Sequence, residues 1–169
     1  MSLAQMLRSE DMRDVHLALS QLSAMPKDEA VGLLEHLALE RQYQFRCRAV
    51  DGMAKIAPER AEALALQFLK DPDPDVRLHA MYALYQLRSH AAVPMIARLL
   101  ATDPDELVRS WAALALGELG DASVLPVLTT AAEQDTGTDH EGQPIRETAI
   151  ASIKMIRSRL AEQGNPPTH

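Results

Sequence analysis

The sequence predicts an all-α fold, an α-α superhelix (α-solenoid) of about five short helical pairs. Three observations carry this. The 169 residues are 47% hydrophobic but only 4% aromatic, so a core must be filled by Leu, Ala, Val, Ile and Met, the composition of helices packed on helices. The chain repeats itself: Asp71 to Leu100 lies on Asp103 to Ala132 at an offset of 32, with Val76 on Val108, Arg77 on Arg109, Ala80 on Ala112, Leu84 on Leu116, Leu87 on Leu119 and Pro94 on Pro126. Each repeat also carries two apolar stripes at spacings of three and four, the period of a helix with one buried face.

The remaining units follow in register. Phe45 falls on Val76 at an offset of 31, with Arg46 on Arg77, Ala49 on Ala80, Met53 on Leu84 and Ile56 on Leu87. Ile145 falls on Val108 at an offset of 37, with Arg146 on Arg109, Ala149 on Ala112 and Ile153 on Leu116, the five extra residues lying between Gln134 and Gly142. Residues 11–40 form a degenerate first unit split at Met25-Pro26. The expected organisation is one domain over residues 1–160, with repeats at 42–70, 71–102, 103–135 and 143–160 and a flexible C-terminal tail at 161–169. Within a unit, the first helix buries Val76, Ala80, Ala83, Leu84 and Leu87 or their equivalents. The second starts near Val93-Pro94, where proline suits a first turn that needs no intrahelical N–H. The aspartates of Asp71-Pro-Asp-Pro-Asp75 and Asp103-Pro-Asp105 stop one helix and cap the next, each cap contributing about 1 kcal/mol. One such pair cannot bury its own stripe, so neighbours must stack.

Val108-Arg109, Ala112, Ala115-Leu116-Gly117, Leu119-Gly120-Asp121 and Val124-Leu125-Pro126 together resemble the short HEAT-like repeats of the phycobilisome-lyase type. The period of 31 to 32 is shorter than the roughly 40–47 of ordinary HEAT and armadillo units. The resemblance covers about Gln42 to Ile156 and implies the solenoid architecture. Tyr85 stands where the best copy has Gly117, and Arg88-Ser89 where it has Gly120-Asp121, which argues against an equally close helix crossing in that unit.

Arg46, Arg77, Arg109 and Arg146 occupy one register. They form either a guanidinium ladder for an anion or, the favoured reading, structural clamps paired with helix-end carbonyls or with aspartates such as Asp73, Asp75 and Asp105. No catalytic residue, cofactor site or metal site is expected. Cys47 lies in no nucleophile motif, although Arg46 and Arg48 beside it could lower its pKa. The loop from Asp135 to Gly142, with Asp139, His140 and Glu141, matches no metal-ligand spacing.

Surface columns are more informative. Second helices line the concave side in such solenoids, which places His36, Gln67, Arg98 and Thr130 at one register, with Met95 and Val127 among the residues three positions earlier. This reads as a mixed apolar and polar groove for a partner. On the first helices one column runs Arg48, His79, Trp111, Thr148 and the next Asp51, Tyr82, Leu114, Ala151. His79, Tyr82, Trp111 and Leu114 then form a convex patch, used either in packing or as a binding hot spot.

The net charge of −7 disfavours nucleic acid as a partner, because binders of phosphate backbones carry a clustered positive footprint. Between Asp71 and Glu141 there are 12 acidic and four basic residues, so the acidity is concentrated there. A lone cysteine and the absence of any long apolar run point to a cytoplasmic chain without a membrane partner. The functional expectation is a non-enzymatic protein-binding scaffold or adaptor that holds another protein, one with a basic surface, in its groove or on its acidic edge. Two alternatives stand beside it: a bacterial immunity or antitoxin protein neutralising a basic toxin, and a bilin-lyase-like enzyme or enzyme subunit. Oligomeric state is not legible.

Overall fold

The computed structural model describes residues 1–164, with side chains through residue 162. Among the described residues ten α-helices follow one another: α1 (Leu3–Leu7), α2 (Met12–Leu22), α3 (Lys27–Ala38), α4 (Tyr43–Ile56), α5 (Pro58–Phe68), α6 (Pro74–Gln86), α7 (Val93–Thr102), α8 (Glu106–Leu119), α9 (Leu125–Gln134) and α10 (Ile145–Gly164). The only pairing of extended backbone among the described residues is an isolated bridge between Thr138 and Pro144. The fold is all-α, an α-solenoid of HEAT-like units. The repeat registers map onto α4/α5, α6/α7 and α8/α9, the degenerate unit onto α2/α3, and the last unit onto α10 alone.

Helix ends fall where the sequence supplies caps. Asp11, Asp73 and Asp105 accept from the backbone N–H groups of Arg13, Asp75 and Val108 at the starts of α2, α6 and α8. Proline occupies the first turn of α5, α6, α7 and α9. Ser2 and Gln5 make a reciprocal capping box that holds the five-residue α1.

The helices group into two compact units, Met1–Leu87 and a second beginning at Arg88. In the first, α4 packs against α3, α5 and α6, and α1 lies against α2. Its core is aliphatic: Leu22, Leu34, Leu37, Met53, Met81 and Leu84 are at most 1% exposed. Gly52 keeps α4 thin where Leu34 and Leu19 press on it. In the second, α8 packs on α7 and α10, and α9 on α10, around Ile96, Val108, Leu116, Leu128, Ile145 and Ile156. Gly117 lets α8 and α10 approach closely, since a Cβ there would stand 2.6 Å from Ser152 Oγ and 3.0 Å from its Cα.

One expectation changes at the C-terminus. Residues 161–164, read as tail, continue α10, because Ala161 and Glu162 are good helix formers and no breaker interrupts the run before Gly164. The rest of the expected tail, residues 165–169, lies outside the described residues. No helix of the described residues is long and apolar enough to cross a membrane.

Candidate functional site

The recurrent arginines are placed by the first turn of each leading helix and face the loop below. Arg46 donates from Nε and Nη2 to the two carboxylate oxygens of Asp71, both at 2.8 Å, and from Nη1 to the carbonyls of Glu40 and Arg41. Arg109 repeats this geometry with Asp135, at 2.7 and 3.0 Å, and with the carbonyls of Asp103 and Pro104. Buried Arg77 donates to the carbonyls of Asp71 and Pro72. The carboxylates that clamp Arg46 and Arg109 thus lie after the second helix of the unit, 25 and 26 residues on. Asp73 and Asp105 serve as helix caps instead, and Asp75 sits in the first turn of α6. Arg146 is exposed, and among the described residues nothing pairs with its guanidinium.

Cys47 is buried in α4, and loss of solvation, with Asp51 adding to it, pushes its thiol up to about 12. The influence of Arg46 is the smallest contribution and runs the other way. The suggestion of an activated thiolate is therefore corrected: burial outweighs the arginine. Among the described residues no group of three or more His, Cys, Asp or Glu converges as metal ligands. The loop after α9 is instead organised by Asp135, which accepts from Gly137 N–H, and by Asp139, which accepts from Glu141 and Gln143.

The groove residues are distributed between the two units. His36 is exposed, its Nδ1 bonded to Gly32 O at 2.8 Å, beside a cavity of about 480 Å³ between α1 and α3. Gln67 is exposed on α5. In the second unit Met95 is half-buried and Arg98 exposed on α7, while Val127 and Thr130 border a cavity of about 330 Å³ that also touches Arg109 and Asp135. Of the convex set, Trp111 is half-buried and Leu114 is exposed on α8, whereas His79 and Tyr82 belong to the first unit.

The structure brings a different set together there. Helices α2, α4 and α6 enclose a cleft of about 550 Å³, within the range of small-molecule sites. Met12, Val15 and Leu19 line it from α2 together with His16; Arg48, Asp51 and Lys55 come from α4, and His79 and Tyr82 from α6. His79 Nδ1 donates to both oxygens of Asp51, at 2.9 and 3.0 Å. That hydrogen bond raises the imidazole pKa above its ordinary value against the opposing effect of burial. An imidazole held by a carboxylate has its tautomer and orientation fixed and presents Nε2 for proton transfer. Asp51 was absent from the residues singled out by sequence. Its signal was present in the two columns of the first helices, because Asp51 of one unit and His79 of the next are diagonal neighbours on that lattice.

The HEAT repeats family model matches residues 30–116 and 63–154. The chain is 30% identical over 122 residues to a protein of Cryptococcus neoformans named deoxyhypusine hydroxylase, and 28% identical over 113 residues to one of the same name from Schizosaccharomyces pombe. These stretches cover 70% and 66% of this chain but 32% and 34% of the relatives, so the chain spans about a third of their length. The expectation of a non-enzymatic scaffold is corrected by these relatives, which bear the name of an enzyme. It rested on the lack of a local catalytic motif. A repeat lattice brings side chains together from separate helices, as it does Asp51 and His79, and leaves no such motif. With the repeat matched across residues 30–154, the chain belongs to the HEAT-repeat family.

Proposed function

We propose that this chain is part of a HEAT-repeat enzyme, as a segment or subunit related to the deoxyhypusine hydroxylases, and that the α2–α4–α6 cleft is its substrate-holding site. The observation that carries the reading is the His79–Asp51 pair on the cleft wall, in a chain whose relatives bear an enzyme's name. His79 serves as the proton carrier. Asp51 orients it and stabilises its cationic form. Arg48 and Lys55 add positive charge beside the pair. The partner in this reading is the substrate, and the setting is cytoplasmic.

The reading is tested with a deoxyhypusine-bearing peptide incubated with cell extract, with and without the purified chain, and analysed by mass spectrometry. A chain-dependent gain of one oxygen atom, taken from dioxygen with two electrons supplied by a reductant in the extract and the second oxygen leaving as water, supports it. An equal gain, or none, in both samples counts against it.

A further inference from the structure

The cavity of about 480 Å³ between α1 and α3 shares no lining residue with the cleft, and it is built around a glycine that the packing does not require. Gly52 and Gly117 are kept small by side chains that press on them, whereas a Cβ on Gly32 would meet no atom within 4 Å. Gly32 sits in the interior of α3, where glycine is less favourable than alanine. What a methyl there would occupy is the cavity itself. Glu29, Gly32, Leu33 and His36, at spacings of three and four, share this face of the helix. A carbonyl only accepts, so the 2.8 Å contact of His36 Nδ1 with Gly32 O makes Nδ1 the donor and leaves Nε2 of the neutral ring an acceptor. Arg8, the cation of the lining, is already paired: Nε and Nη2 donate to Glu40 Oε1 at 2.9 and 2.5 Å, and Nη1 to the carbonyl of Ala4. Lys27 at the start of α3 pairs with Glu59, and Arg60, which reaches α3 from α5, pairs with Glu35. The Glu29 carboxylate has no hydrogen bond or ion pair among the described residues.

We infer that this cavity binds a primary amine carried on an aliphatic chain, the ammonium held by Glu29 and the chain lying over Gly32 against Leu7, Met25 and Leu33. The volume admits a small molecule, and the lining joins an aliphatic wall to one uncommitted carboxylate. An ammonium offers that carboxylate a charge-assisted hydrogen bond. An anion would meet Glu29 with no free cation on the lining to offset the repulsion. Occupation of this cavity is independent of what the α2–α4–α6 cleft does.

The probes are n-hexylamine and its neutral analogue 1-hexanol, titrated into the full ¹⁵N-labelled chain and followed by amide shifts. Shifts in α1 and α3 centred on Gly32, with the amine bound at least about fivefold more tightly than the alcohol, are expected for an ion pair at an exposed carboxylate. Glu29→Gln, an exposed change that the fold tolerates, should remove that preference and leave the alcohol unaffected. Gly32→Ala separates binding from folding. It should raise the melting temperature by about 3 °C, since the helix gains and the methyl strikes nothing. It should also weaken the amine and the alcohol alike by several-fold, since the methyl stands where the chain lies. Equal affinities for the two probes, shifts confined to other helices, native affinity in Gly32→Ala, or binding of neither probe would overturn the inference.

Discussion

Arg46 grips Asp71 through two parallel hydrogen bonds of 2.8 Å, with the two side chains only 13% and 7% exposed. The arginine begins one repeat and the aspartate opens the loop into the next, so this pair ties consecutive units at a fixed register. Its planar fork matches a carboxylate in a way that an ammonium cannot. The same geometry recurs at Arg109 and Asp135, where the hydrogen bonds between them hold the guanidinium pKa up and the carboxylate pKa down against the opposing effect of burial.

Removing one partner leaves a nearly buried charge uncompensated. Asp71→Ala should therefore destabilise the protein by about 3 kcal/mol, and Arg46→Lys should recover only part of the loss from Arg46→Ala. Chemical denaturation of the three variants measures this. A cost for Asp71→Ala no larger than that of an exposed ion pair would show that the clamp is incidental.

Gly117 and Gly52 both lie in helix interiors, where alanine would gain about 1 kcal/mol from helix propensity. Their surroundings differ. At Gly117 a Cβ meets Ser152 Oγ, Cβ and backbone Cα at 2.6 to 3.0 Å, and Ser152 is fixed by its hydrogen bond to Ala113 O. At Gly52 the nearest atom, at 2.6 Å, is the terminal methyl of Leu34, a flexible side-chain end. Gly117→Ala should cost about 1–3 kcal/mol while Gly52→Ala stays near neutral. Thermal melts of the pair decide it, and equal losses would contradict the backbone-contact argument.

His79 gains Asp51 as a partner, so its pKa in the folded state is raised above the unfolded value near 6.5. A raised pKa stabilises the fold fully below the unfolded pKa, and that contribution is lost as pH rises through the folded pKa. The stability difference between the native sequence and His79→Gln should thus be largest near about pH 5.5 and shrink above neutrality. With the imidazole 42% exposed, solvent screening keeps this part under about 1 kcal/mol. Denaturant midpoints across that range test it, and a pH-independent difference would mean that the pair does not couple to folding.

Cys47, its thiol pushed up to about 12 and its side chain buried, should resist a thiol reagent in the native state at pH 8 and react only when the chain is unfolded. Rapid native labelling followed by mass spectrometry would overturn that assignment.

Much of the fold is legible in the sequence because the repeat is. Val76 and Val108, Arg77 and Arg109, Leu84 and Leu116 share a spacing that only stacked helical pairs explain, and Asp73 and Asp105 mark the helix starts directly. The short α1 escaped notice because five residues give no periodicity, although Ser2 and Gln5 stand at capping-box spacing. The partners of Arg46 and Arg109 escaped for a geometric reason: the nearby aspartates are used up as caps, and the clamping ones lie beyond the second helix. The candidate site was half visible. His79 was singled out for its exposure on a column, while the significance of Asp51 depends on how far α6 is displaced along α4, which a one-dimensional pattern does not encode.

The most direct test of the central claim, that the His79–Asp51 cleft is where this chain acts, is the rate of chain-dependent oxygen incorporation by the native sequence compared with His79→Gln and Asp51→Asn. The account predicts a fall of at least about a hundredfold for His79→Gln and a smaller one for Asp51→Asn, with both variants folded by circular dichroism. Native-like rates in both would contradict it and move the site away from this cleft.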